Sequence, residues 1–98
     1  MSIKSFKDKE TEEIANGKKS KRSLKRLPSN LHYVAYKKLV FLDNIGSLES
    51  LRAWPSLRLE RLKGDRKGRW SIRINDQYRI CFDYADGHVS GVEIVDYH

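Results

Sequence analysis

Residues 68–82, GRWSIRINDQYRICF, set Arg69, Arg73 and Arg79 among Trp, Ile, Tyr, Cys and Phe, and a second run, VEIVDYH, ends in Asp96, Tyr97 and His98. Guanidinium groups, a phenol, an imidazole and a carboxylate such as Glu60 suffice for RNA cleavage without a metal. That reaction needs a base to take the 2′-OH proton, cations to hold a phosphorane-like transition state, and an acid to protonate the leaving 5′ oxygen. Glu60 is the candidate base, Arg73 and Arg79 the clamp, and His98 the acid. The same arginines also have a plainer reading as solvent-facing strand residues paired with Asp76, Asp83 or Glu93.

The elements that must position these groups follow from periodicity. From Leu57 onward the hydrophobic period is two, which predicts strands at about Leu57–Leu62, Arg69–Ile74, Tyr78–Tyr84 and Val89–Tyr97. KGDRKG, NDQ and ADGH between them are turn sequences too short for crossovers, so the strands pair antiparallel in a meander. Alternation then sends Trp70, Ile72, Ile74, Ile80, Phe82, Val92 and Ile94 to one face. Ser71, Arg73, Arg79, Cys81, Glu93 and Tyr97 fall on the other, which is expected to be an open cationic platform with an aromatic beside it.

Upstream the pattern is helical. SIKSF reads as a short edge strand, and Asp8 as the N-cap of a helix that Asn16–Gly17 stops. KKSKRSLKRL has only two apolar residues and reads as a solvated loop or a weak helix. Pro28–Ser29 opens the clearest helix, with Leu31, Val34, Ala35, Leu39, Leu42 and Ile45 at three- and four-residue spacing, and SLESLRAW gives a short helical turn ended by Pro55. Helices first and a sheet after them predict an α+β fold with two main N-terminal helices packed on one face of a small antiparallel sheet.

A length of 98 residues fits one domain over residues 1–98. Twenty Lys and Arg against thirteen Asp and Glu give a net charge of +7, and twelve of the twenty cations fall in the windows Gly17–Leu27 and Leu57–Arg69. Such focused charge favours a polyanion, nucleic acid first and an acidic membrane second. The single cysteine, Cys81, excludes a disulfide framework and a Cys-based metal site, and a reducing cytoplasm is the expected compartment. No apolar run is long enough for a signal peptide or a membrane span, so no membrane partner is expected.

LKGDRKGRWSIRINDQYRICF together with VEIVDYH resembles the RelE/ParE superfamily of bacterial toxins, most closely its HigB-type, plasmid-maintenance killer toxins. The resemblance is strongest over Leu57–His98, takes in IKSF, and between Lys7 and Pro55 rests on the helical layout. It implies a RelE-like fold and a metal-independent, cofactor-free endoribonuclease that enters the ribosomal A site and cuts translated mRNA. It also implies two kinds of partner: the ribosome with its mRNA and rRNA, and a cognate helix-turn-helix antitoxin (HigA-like), through which alone DNA is met.

By position, the resemblance gives Arg79 the transition-state role and makes Tyr97 and His98 a catalytic pair accompanied by Asp96. Lys63, Arg66, Lys67 and Arg69 would hold RNA phosphates. HigB-type toxins often carry a His just before LKG, whereas this chain has Glu60 and Arg61 there. A Glu at that place resembles the YoeB-like branch, where a Glu base works with a C-terminal His acid.

Several alternatives stay open. Glu60 is either that base or an inert partner of Arg58 or Arg61. The whole is either an enzyme, a non-enzymatic RNA- or ribosome-binding module, or a ParE-like gyrase inhibitor, although that branch lacks the Tyr-His pair. The Lys18–Arg26 block has three candidate uses: contact with ribosomal RNA, docking on an acidic antitoxin, or disorder. Trp54 and Trp70 read as core or edge packing rather than base-stacking platforms.

Overall fold

The computed structural model describes residues 3–63 and 68–96. Its helices are α1 (Lys9–Ala15), α2 (Lys21–Arg26), α3 (Ser29–Asp43) and α4 (Leu48–Arg52), followed by a 3-10 turn at Pro55–Leu57. The strands are β1 (Glu60–Arg61), β2 (Trp70–Arg73), β3 (Tyr78–Ala85) and β4 (His88–Asp96), in the spatial order β1-β2-β3-β4 with every pairing antiparallel. The expected α+β meander is therefore present.

The first two helices begin where a side chain caps their free N–H groups. Asp8 caps α1 by accepting from the Thr11 N–H at 2.7 Å. The basic block is a helix: Ser20 and Ser23 form a reciprocal capping box at the start of α2, and Ser20 Oγ donates to Glu13 Oε1. Pro28 precedes α3, whose Ala35, Leu39 and Leu42 face inward with Ile14 of α1 and Leu51 of α4. Against them pack Ile72, Ile80, Phe82, Val92 and Ile94 of the sheet.

Two positions of α3 depart from the expected inward face. Val34 is exposed, and His32 is buried in the adjoining row, its Nε2–H donating to the Leu27 carbonyl at 2.7 Å. A buried imidazole with such a bond substitutes for an apolar residue without a stranded polar atom.

The sheet departs from simple alternation at both ends. Leu57 to Leu59 are not strand, because Pro55 starts a 3-10 turn and Arg58 takes a left-handed conformation (φ 47°, ψ 57°), so β1 shrinks to Glu60–Arg61. In β4 the register shifts opposite Cys81/Asp83, and Gly91 there has φ +59°. This β-bulge re-phases the strand, so Val89 before it and Val92 and Ile94 after it all reach the core. The β3–β4 hairpin closes through Asp86 and Gly87, both at positive φ (52° and 80°), as a tight Asp-Gly turn requires.

The free edge of β4 is covered. Residues 3–7 run parallel to it through Ile3–Val89 and Phe6–Val92 bridges, with Lys4 N–H to Val89 O at 2.7 Å and Lys7 N–H to Val92 O at 2.9 Å. Beyond them Ile94 donates its N–H to Thr11 Oγ1 at 3.1 Å and accepts from Arg26 Nη1 at 3.1 Å. SIKSF is thus an edge segment, as expected, held by bridges rather than a full ladder. Among the described residues no helix is long and apolar enough to cross a membrane.

Candidate active site

Antiparallel register puts Glu60, Ser71, Cys81 and Glu93 in one cross-strand row and Arg73, Arg79 and Val95 in the next, on the sheet face away from α3. Arg73 and Arg79 are direct cross-strand neighbours, an arrangement that like charges resist. Each is compensated by a carboxylate: Arg73 Nη2 bonds Asp76 Oδ1, and Arg79 Nη2 lies 3.4 Å from Glu60 Oε2.

Arg79 is the fixed point of the site. Its side chain runs from β3 over β2 towards β1, with Nε donating to Ser71 Oγ at 2.7 Å and Nη2 donating to the Arg58 carbonyl. It is only 8 % exposed, and Ser71 and Cys81 beside it are fully buried. This corrects the expected open platform: alternation assigns Arg79 and Cys81 to the right face, but there the arginine lies flat along the sheet instead of standing in solvent. Glu60, by contrast, keeps a side chain 57 % exposed, so a carboxylate open to solvent sits beside an immobilised cation. Arg61 faces the other way and stacks over Trp70, 5.5 Å from the ring centroid, so of the two cations expected to engage Glu60 it is turned from it.

Arg69 is laid across the same face in the opposite direction. Its Nη2 donates to the Gly91 carbonyl at 2.6 Å and lies 3.4 Å from Glu93, while Nη1 lies 3.4 Å from Asp83. The residue is 9 % exposed, and Glu93 is further engaged by Lys7 at 3.7 Å. Its guanidinium is thus spent on β3 and β4, the pairing with Asp83 and Glu93 that the plainer reading anticipates. The adjoining Lys63 is exposed, whereas Arg66 and Lys67 lie outside the described residues.

Arg73 is half-buried at the end of β2, and its bond holds the Asp76 carboxyl below its usual range, the hydrogen bond contributing more than the charge. Lys38 of α3 reaches under the same strand end, donating Nζ to the Arg73 carbonyl at 2.6 Å. Burial, reinforced by the Arg73 charge, pushes the Lys38 ammonium pKa down. Asp96 is exposed, pairs across the ladder with Tyr78, next to Arg79, and accepts from Gln77 Nε2 at 3.1 Å. Tyr97 and His98 lie outside the described residues.

The structure therefore brings Glu60 and Arg79 into contact, sets Arg73 beside Arg79, and turns Arg69 away from solvent. Ser71, Lys38 and the Arg58 carbonyl join the cluster without having been singled out by the sequence. Ser71 was legible as the residue facing Glu60 across a hairpin; the other two depend on contacts 35 and 21 residues apart. Among the described residues no three His, Cys, Asp or Glu side chains gather to hold a metal ion.

Residues 4–98 match the family model described as the RelE-like toxin of the type II toxin–antitoxin system HigB. The chain is 39 % identical over 82 residues to Toxin HigB-1 of Vibrio cholerae, an alignment covering 84 % of this chain and 83 % of that protein. It is 42 % identical over 41 residues to Endoribonuclease HigB of Proteus vulgaris, covering 42 % of this chain and 45 % of the relative. Among solved structures, a YoeB-YefM complex from Staphylococcus aureus aligns over 100 % of this chain and 97 % of its own at TM-score 0.61 and 21 % identity. A YoeB/ParE toxin from Agrobacterium tumefaciens aligns over 100 % and 99 % at TM-score 0.51 and 15 % identity, and these two share the fold.

Proposed function

The chain belongs to the HigB-like family of RelE-like toxins of type II toxin–antitoxin systems, and on that premise we propose that it is an endoribonuclease that cuts mRNA in the ribosomal A site and so stops translation. The relative named Endoribonuclease HigB supports the activity. The observation that carries the reading is the pair at the β1 side of the sheet: a solvent-open Glu60 carboxylate 3.4 Å from an Arg79 guanidinium held by Ser71 and Arg58.

In this reaction Glu60 takes the proton of a 2′-OH, and the freed oxygen attacks the adjacent phosphorus. Arg79, with Arg73 beside it, carries the charge that builds on the phosphoryl oxygens. A cation already locked in place needs no reorganisation at that moment. His98 returns a proton to the 5′ oxygen as the P–O bond breaks, leaving a cyclic phosphate on one fragment and a 5′-OH on the other. Tyr97 and Asp96 serve the His98 end of the site. Lys63, Arg66 and Lys67 bind flanking phosphates, while Arg69 is held by Asp83 and Glu93.

The partner that silences the toxin is a cognate helix-turn-helix antitoxin, through which the pair meets operator DNA. The YoeB-YefM neighbours, themselves toxin–antitoxin assemblies, support an antitoxin partner, and a reducing cytoplasm suits the lone buried Cys81. The test is cleavage of mRNA on purified ribosomes with an open A site, mapped by primer extension. Wild type should cut, and Glu60→Gln and His98→Gln should each lose at least about tenfold, given general acid–base contributions of roughly 10²–10⁴. Ribosome binding without cutting would instead support a non-enzymatic module on the same fold.

A further inference from the structure

Two described residues other than glycine hold a positive φ: Asp86, in the Asp-Gly turn between β3 and β4, and Arg58. The first is ordinary hairpin geometry. The second places a long branched cation in a region that L residues avoid, two residues before the candidate base. Leu57 and Leu59 stand at strand spacing, yet the 3-10 turn begun at Pro55 hands the chain to Arg58 in the left-handed region and delays β1 to Glu60.

The consequence lies in the backbone. A strand directs its carbonyls within the plane of the sheet, towards neighbouring strands. At Arg58 the left-handed turn, entered through its N–H bond to Pro55 O at 3.1 Å, instead aims the carbonyl at the guanidinium that lies over the face. There it meets Arg79 Nη2, the nitrogen that also faces Glu60. Two acceptors thus meet at one nitrogen: the Arg58 carbonyl, aimed by one unusual φ, and the solvent-open Glu60 carboxylate, placed by the β1–β2 register.

We propose that Arg58 is a positioning residue, whose left-handed backbone aims its carbonyl at Arg79 and thereby fixes the guanidinium beside Glu60. The inference rests on the cleavage reading for its effect on turnover, but not for its geometry.

Two substitutions isolate the backbone. Arg58→Gly and Arg58→Val both delete the guanidinium, but glycine holds positive φ freely while a β-branched residue resists it. The first readout is solvent exchange of the isotope-labelled Arg79 Nη2 protons by NMR; the second is turnover at saturating programmed ribosomes. Wild type and Arg58→Gly should show slow exchange and turnover within about threefold of each other, whereas Arg58→Val should show fast exchange and lose roughly tenfold or more. Equal behaviour of the two variants in both readouts would overturn the proposal. If Arg58→Val fails to fold, fast exchange or a comparable turnover loss in well-folded Arg58→Gly overturns it as well. Wild-type protein that never cuts, yet whose variants divide by exchange, would refute the cleavage reading and leave the positioning role supported.

Discussion

At the scale of single residues, the arginines of this sheet divide by what they are attached to. Arg69 and Arg79 lie in opposite directions across β2 and β3 and are nearly inaccessible, while Arg73 keeps an exposed ion pair with Asp76. Their face was legible from period-two alternation; their burial was not, because it depends on Arg58 and Gly91, which lie in non-local contact with them. Gly91 shows the constraint most sharply. Its φ is +59°, and a methyl group added at its Cα would lie only 3.2 Å from Asp83 Oδ2 and 3.4 Å from Arg69 Nη1. Gly91→Ala should therefore cost about 1–2 kcal/mol from the left-handed backbone alone, read as a lowered urea midpoint. Lys38 gives a pH-dependent prediction. Its folded pKa is depressed, so between that value and 10.5 the unfolded chain binds more protons than the native one, and this group adds stability as pH rises. Wild type should gain stability relative to Lys38→Met as pH is raised towards 10.5, and a wild type that loses stability relative to that variant over the same range would contradict the depressed value.

At the scale of elements, the meander and the main helix followed from pattern, and the departures each have a local cause. β1 is short because Pro55 and Arg58 turn the chain before it can pair, so buried Leu57 and Leu62 flank a strand of only two residues, Glu60–Arg61. α2 was hidden because its sequence has almost no apolar stripe; its signal is the Ser20-x-x-Ser23 spacing and the reach of Ser20 to Glu13, of which only the first lies in the local sequence. β4 reads as one strand but changes phase at Gly91, which a strict period cannot represent. Two tests belong here. Ser20→Ala should cost about 1 kcal/mol and speed hydrogen exchange at Leu24, whose N–H donates to Ser20 O at 3.0 Å. Thr11→Val should cost about 1–3 kcal/mol in denaturant melts, because it strands the buried Ile94 N–H at the edge of β4.

At the scale of the molecule, the helices occupy one face of the sheet and leave the other to the cations, so a net charge of +7 can meet a polyanion on the face that carries Glu60. Composition alone pointed to a polyanion; the pairing of a particular carboxylate with a particular guanidinium required the fold. If Lys63, Arg66 and Lys67 contact phosphates, replacing all three with Gln should flatten the salt dependence of ribosome binding by about two units of log–log slope, with little change in stability. The central claim is that Glu60 and Arg79 act together on one phosphate, and a double-mutant cycle on turnover with programmed ribosomes tests it most directly. With Glu60→Gln and Arg79→Lys, each single change should lower the rate at least about tenfold, and the double variant should be hardly worse than either, as for residues that act as a unit. Fully multiplicative losses, or wild-type turnover in Glu60→Gln, would contradict the account.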